Sequence, residues 1–313
     1  MEKGHTNQGY HIPVLYHETL QGLNIKPDGI YVDCTFGGGG HSAGILSQLN
    51  EKGKLFAFDQ DTDAKRNVMD DARVVFIPEN FSNLQRFLRL HKVTGVDGIL
   101  ADLGVSSHQF DKGDRGFSIR FSGPLDMRMD GTTGQTAADI VNNYDFANLA
   151  RILREYGEER FAARVANAII REREVKPFTN SDHLVTVVRD AIPAATRRTG
   201  GNPAKRTFQA IRIEVNQELT ILERAIPAAL AALSVGGRLV VMSYQSLEDR
   251  IVKGCFANVT KSSTPRGLPV ELPNSAATYK LLLSSSQGAD EAEQLSNPRS
   301  QSMRLRAIER VAA

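Results

Sequence analysis

Cysteine is scarce in this chain: 313 residues hold 2. Cys34 and Cys255 lie far apart with no metal-ligand pattern around them, which excludes a disulfide framework and a zinc site and leaves two free thiols. His5, His11, His17, His91 and His183 are scattered without ligand spacing, so no metal is expected. No apolar run approaches the ~18 residues that span a bilayer. The polar start, Met1 to Gly9, lacks the apolar core of a signal peptide, and the expectation is a cytoplasmic protein with no membrane partner. A net charge of only +2 does not by itself indicate nucleic acid. The charge is uneven, however: between Asp145 and Val215 there are 13 Lys or Arg against 9 Asp or Glu, a local +4 that leaves the rest near −2. A basic middle segment fits a polyanion partner and also fits a solvated helical face.

What is abundant is glycine at one place. Gly29-Ile-Tyr-Val-Asp33 is an apolar, β-branched run that enters Gly37-Gly38-Gly39-Gly40, and a helical pattern from Ala43 to Leu49 leaves it. Glycines lack a Cβ, so such a strand-to-helix turn lets a nucleotide approach the backbone. Lys54 to Asp61 reads as the second strand, and Asp59 lies where a carboxylate meets ribose hydroxyls. The spacing is not G-x-G-x-x-G, and Asp33 just before the glycines would repel a pyrophosphate. A cationic ligand with an amino-acid tail suits it better, which favours S-adenosylmethionine, with its sulfonium and ammonium, over NAD.

Strand-like runs at Ile30–Val32, Leu55–Phe58, Val74–Ile77, Gly98–Ala101 and Arg238–Met242 alternate with helical patterns. This order predicts an α/β fold built on a doubly wound, Rossmann-like parallel sheet. The interval from Ala101 to Arg238 far exceeds one crossover. Apolar spacing of three and four residues from Phe146 to Arg173, repeated over Asp182 to Ala191, makes the insert helical. The predicted division is 1–115, first part of the nucleoside-binding domain; 116–205, helical insert; 206–313, second part. Phe208 to Leu233 is expected to form one long helix kinked or broken at Pro227. Ser262 to Ala277 reads as a loop, with Tyr279–Leu283 and Ser302–Ile308 pairing antiparallel at the sheet edge.

Asp102, after the fourth strand, belongs at the ligand crevice, since carboxyl ends of strands face it; the same acid could cap a turn. Ser243-Tyr244-Gln245 follows the fifth strand, and Tyr244 and Gln245 are placed to meet a planar base. Glu248 and Asp249 put negative charge on the next helix's first turn. Arg197, Arg198, Lys205 and Arg206 cluster on a Gly- and Pro-containing loop before a helix, an arrangement that suits phosphate contact or simple solvation. Arg115-Gly-Phe-Ser and Gly123-Pro-Leu-Asp-Met-Arg-Met-Asp130 read as a structured loop that closes over something, with Met127 and Met129 alternatively filling gaps between domains.

These stretches, with Tyr156-Gly-Glu-Glu-Arg160, Arg206-Thr-Phe-Gln-Ala-Ile-Arg212 with Asn216, Ser246-Leu-Glu-Asp-Arg-Ile-Val-Lys253 and Asn297-Pro-Arg299, together resemble the RsmH (MraW) family from about His11 to Arg310. The resemblance implies a class I S-adenosylmethionine-dependent methyltransferase with an inserted helical, RNA-facing domain. Its expected activity is methylation of the exocyclic N4 of a cytidine in the decoding region of small-subunit ribosomal RNA. It implies Gly39, Gly40, His41, Asp59, Phe81, Asp102 and Gln109 as cofactor residues, with Asp102 also the catalytic candidate. Arg197, Arg198, Lys205, Arg206, Tyr244 and Gln245 are the candidates for substrate RNA. The chain departs from the family pattern at His108, where Pro is usual, and at Tyr244-Gln245, where Phe-His is usual; it also lacks an Asp-Pro-Pro-Tyr tetrapeptide. A stacking face for the target base is expected from Phe117, Phe121 or Tyr244. Two rival readings are a DNA amino-methyltransferase and a cofactor-binding ribosome assembly factor without turnover. Monomer and homodimer both remain open.

Overall fold

The computed structural model of the chain describes residues 13–104, 113–197, 201–262 and 275–312. They fall into two compact units, one comprising Met1–Gly104 with Thr220–Ala313 and the other Val105–Leu219.

The first unit is built on a sheet of seven described strands: β1 (Ile30–Asp33), β2 (Lys54–Phe58), β3 (Val74–Ile77), β4 (Val96–Asp102), β5 (Leu233–Ser243), β6 (Tyr279–Leu281) and β7 (Arg304–Arg310). Their order is β3-β2-β1-β4-β5-β7-β6. The five strands expected from apolar runs are present and mutually parallel, while β7 runs antiparallel to both β5 and β6, so the antiparallel tail pairing also forms. Strands buried on both faces need apolar residues at every position. Alternation then assigns them to faces: Val32, Phe56, Ile99, Leu239 and Val241 enter one core with Leu84, Leu222, Ile226 and Phe256. Tyr31, Leu55, Leu100, Val240 and Met242 enter the other with Leu20, Leu23 and Ile45. Helices thus cover both faces, as a doubly wound sheet requires.

The strand order reverses between β1 and β4, whose register pairs Asp33 with Leu100. Asp102 in turn lies opposite Met242 of β5. The carboxyl ends of three adjacent strands therefore converge, and the residues just beyond them border one crevice.

The second unit packs the helices Ala137–Asn143, Phe146–Glu155, Ala162–Val175, Ser181–Ala191 and Lys205–Asn216 around Leu149, Ile152, Leu153, Val165, Ile169, Leu184, Val188 and Phe208. The stretch before them is a fixed structural loop. Arg115 Nη2 donates to the carbonyls of Arg128 and Met129 at 2.9 and 2.8 Å. Met127, in the left-handed region at φ 62°, is fully buried in this unit's own core. Phe117 is buried there too, which removes it as a stacking face for a base; Phe121 is exposed.

The expected long helix is two helices, Lys205–Asn216 and Glu218–Ala232. The break is at Gln217, in the left-handed region at φ 51°, and not at Pro227, which lies inside the second helix. Asn216 fixes the end of the first: its Nδ2 donates to Met127 O at 2.8 Å and its Oδ1 accepts from Met129 N–H at 2.8 Å. Arg212 pairs with Glu218 across the break through two bonds of 2.7 and 2.9 Å. Pro227 forfeits one intrahelical bond, while Leu222, Ile226, Ala229 and Leu230 remain packed on the sheet.

Candidate active site in the first unit

The crevice begins at the turn after β1. Asp33 is buried, and both its carboxylate oxygens are taken: Oδ1 accepts from Thr35 N–H at 3.0 Å and Oδ2 from Ser42 Oγ at 2.7 Å. It therefore organises the turn. Gly37 and Gly39 have φ of +50° and +76°, conformations that tax any side chain with a Cβ. The Thr35 hydroxyl accepts the backbone N–H of Asp102 at 2.8 Å, tying the turn to the end of β4.

Asp59, at the end of β2, faces this turn. Its Oδ2 accepts from Gly37 N–H at 2.7 Å and its Oδ1 from Asp61 N–H at 2.8 Å, so each oxygen keeps a lone pair for a further donor. Burial raises its carboxyl to about 6. Phe81 opens the short helical turn Phe81–Asn83 after β3 and lies partly buried against the core.

Asp102 is the centre of a small polar cluster. Its Oδ1 accepts the Tyr244 hydroxyl at 2.9 Å. Its Oδ2 has no hydrogen-bond donor among the described residues; His41 Nδ1 lies 3.8 Å away. His41 Nε2 meets the carbonyl of Val14 at 3.2 Å, and since a carbonyl only accepts, Nε2 carries the proton. Burial pushes the imidazole down to about 4. His41 is therefore neutral near pH 7 and offers Asp102 no cation. Burial raises Asp102 to about 7, the Tyr244 hydrogen bond opposes this, and Asp33 and Glu248 reinforce it. Glu248 is buried, and its Oε2 accepts the backbone N–H groups of Tyr244 and Gln245 at 2.9 and 3.1 Å. Asp249, the other acid of that turn, pairs with Arg306 of β7 at 2.7 and 3.0 Å.

Of the candidate site residues, Gly39, Gly40, His41, Asp59, Phe81, Asp102, Tyr244 and Gln245 all belong to the first unit. Gln109, Arg198 and His108 lie outside the described residues. Lys205 and Arg206 are exposed at the start of the helix Lys205–Asn216, in the second unit, where Arg206 Nη1 donates to Glu158 O at 3.0 Å. Arg197 Nη1 lies 3.8 Å from Asp190, so part of its charge is already answered. The Tyr244 hydrogen bond to Asp102 carried no signal in the sequence, since the two residues are 142 positions apart.

A parallel sheet of this order with an antiparallel penultimate strand, a glycine turn after β1 and acids ending β2 and β4 defines a class I methyltransferase. Comparison with known proteins carries this to a family: the chain belongs to the MraW methylase family, whose model matches residues 8–311. It is 49% identical to ribosomal RNA small subunit methyltransferase H of Saccharopolyspora erythraea over 99% of this chain and 96% of that protein. It is 47% identical to the protein of the same name from Oceanobacillus iheyensis over 96% and 94%. Among solved structures, an rRNA methylase from Streptococcus thermophilus gives a TM-score of 0.41 at 14% identity over 96% of this chain and 99% of that one.

The methyl donor is S-adenosylmethionine, and the crevice suits it. Asp33, Asp59 and Asp102 form no ion pair with Lys or Arg among the described residues. Three carboxylates gathered without a cation form a receptive wall for a ligand that carries positive charge. No helix of the described residues is long and apolar enough to cross a membrane.

Proposed function

We propose that this protein transfers a methyl group from S-adenosylmethionine to the exocyclic N4 of a cytidine in the decoding region of small-subunit ribosomal RNA. The observation that carries the reading is Asp102 at the carboxyl end of β4: one carboxylate oxygen is held by Tyr244, and the other is without a donor among the described residues. Relatives named as small-subunit ribosomal RNA methyltransferases support the substrate class.

Cytosine N4 is a poor nucleophile because its lone pair is delocalised into the ring. A carboxylate oxygen that accepts an amino hydrogen draws the nitrogen toward tetrahedral geometry and stabilises the charge that develops on it. Asp102 Oδ2 fills this role. Held there, S-adenosylmethionine would supply an electrophilic methyl on its sulfonium and would leave with the C–S electron pair on sulfur, while the N4 lone pair makes the new bond and the surplus proton passes to Asp102 or water. Asp59 accepts the ribose hydroxyls, Gly39 and Gly40 leave the turn open to the ligand, and Phe81 provides an apolar wall. Gln109 completes the cofactor set. His41, neutral and bonded to Val14, packs beside Asp102. The target base leaves its stack to reach the crevice, where Gln245 meets it, and Arg197, Arg198, Lys205 and Arg206 hold phosphates. Such an enzyme works in the cytoplasm.

The test incubates the protein with labelled S-adenosylmethionine and either unmodified small subunits or duplex DNA. Label on subunits alone is expected; label on DNA alone would overturn the substrate assignment, and cofactor binding without transfer would favour a non-catalytic assembly role.

A further inference from the structure

We propose that Tyr244 is a positioning residue for Asp102: its hydroxyl, not the face of its ring, is the functional group, and it orients the carboxylate that receives the amino hydrogen. This deepens the methyltransferase reading and rests on it.

The geometry is a relay of fixed hydrogen bonds. Glu248, buried in the first turn of the helix Ser246–Val259, accepts the backbone N–H groups of Tyr244 and Gln245 and sets the path of the chain leaving β5. That path places the Tyr244 hydroxyl 2.9 Å from Asp102 Oδ1. The ring lies against Gly104, where a Cβ would stand in ordinary van der Waals contact at 3.4 Å from Tyr244 Cδ2, and the φ of +104° there is one that glycine adopts without strain. Asp102 is meanwhile held from its backbone by Thr35. With Oδ1 occupied and the backbone pinned, rotation of the carboxyl is stopped and Oδ2 is left as the open acceptor.

The groups facing Asp102 make this donor consequential. Asp33 at the end of β1 and Glu248 beyond β5 are acids that disfavour its charge, and His41 from the helix Gly40–Gln48 is neutral. Among the described residues, Tyr244 makes the one hydrogen bond to the side chain that favours the ionised form. Its own phenol is raised well above the ordinary value by burial and by Asp102, so it remains a donor throughout the working range. Removing it takes that support from an acid already raised to about 7 and moves it further up, so the fraction able to accept a proton at pH 7 falls.

Tyr244→Phe removes one oxygen and retains the ring. Two readouts across about pH 6 to 9 decide the proposal. In single-turnover methyl transfer to unmodified small subunits, the acid limb of the variant should move upward by about one pH unit, with a rate about fivefold lower at pH 7 that rejoins wild type near pH 9. In calorimetry of S-adenosylmethionine binding, in buffers of differing ionisation enthalpy, the pH of maximal proton release should move the same way. Asp102→Asn should abolish the shift, so that Tyr244→Phe adds nothing in that background. Equal midpoints in wild type and variant, or a loss uniform across pH, would overturn the positioning role. A wild type that binds cofactor but transfers nothing would defeat the methyltransferase reading, while the calorimetric midpoints would still decide the part played by Tyr244.

Discussion

Single carboxylates set the behaviour of the site. Asp59 keeps a lone pair on each oxygen beyond its two backbone bonds, on the proposed reading these accept the ribose hydroxyls, and charge-assisted hydrogen bonds are worth roughly 1.5–3 kcal/mol each. Asp59→Ala should therefore weaken S-adenosylmethionine binding by at least about tenfold in calorimetry, with NAD failing to compete in either form; unchanged affinity would remove Asp59 from the site. The same acids predict a pH dependence of stability. Burial raises Asp33, raises Asp59 to about 6 and raises Asp102 to about 7, above the unfolded value of about 3.9. Between those limits the folded state binds more protons than the unfolded one, so stability falls as pH rises through 6 to 7. The ligand-free protein should melt at a higher temperature at pH 5.5 than at pH 8, and the cationic cofactor should reduce this difference. Melting curves that rise with pH in the absence of cofactor would contradict the burial of these acids. That Asp59 and Asp102 stand at the carboxyl ends of strands was legible because the apolar runs before them mark β2 and β4. The Tyr244 hydroxyl was not, because stacking and hydrogen bonding are equally open to a tyrosine until its neighbour across the sheet is known.

Among the elements, the parallel strands were legible because burial on both faces demands uninterrupted apolar runs, and such runs stand out. The break between the helices Lys205–Asn216 and Glu218–Ala232 was not. Proline is the visible helix breaker, whereas Gln217 in a left-handed conformation carries no propensity signal. What stops the first helix is tertiary: the Asn216 amide serves Met127 and Met129, and Arg212 clasps Glu218. Asn216→Ala removes two part-buried hydrogen bonds, to Met129 N–H and Met127 O, a loss of about 1–3 kcal/mol. The expected outcome is a lower denaturant midpoint with S-adenosylmethionine affinity unchanged, since the described candidates for cofactor contact, Gly39, Gly40, His41, Asp59, Phe81 and Asp102, lie in the first unit. A midpoint equal to wild type would show that the loop does not depend on this amide.

For the whole molecule, charge is the feature that composition conceals. A chain of net charge +2 carries its basic excess in the segment that folds as the helical unit. Cations that neutralise phosphates there should give RNA binding a steep salt dependence. Neutralising Arg197, Arg198, Lys205 and Arg206 together should flatten that slope by roughly 0.7 to 0.9 for each phosphate left without its cation, and cofactor affinity should not change; an unaltered slope would mean that these residues are only solvated. The central claim, that Asp102 serves methyl transfer to a cytidine amine, is tested most directly by mass analysis of small-subunit RNA after a single turnover with S-adenosylmethionine. The wild-type protein should add one methyl group at N4 of a decoding-region cytidine, and Asp102→Ala, still binding RNA, should add almost none. Methylation by Asp102→Ala at the wild-type rate, or a methyl group found on a different atom, would contradict it.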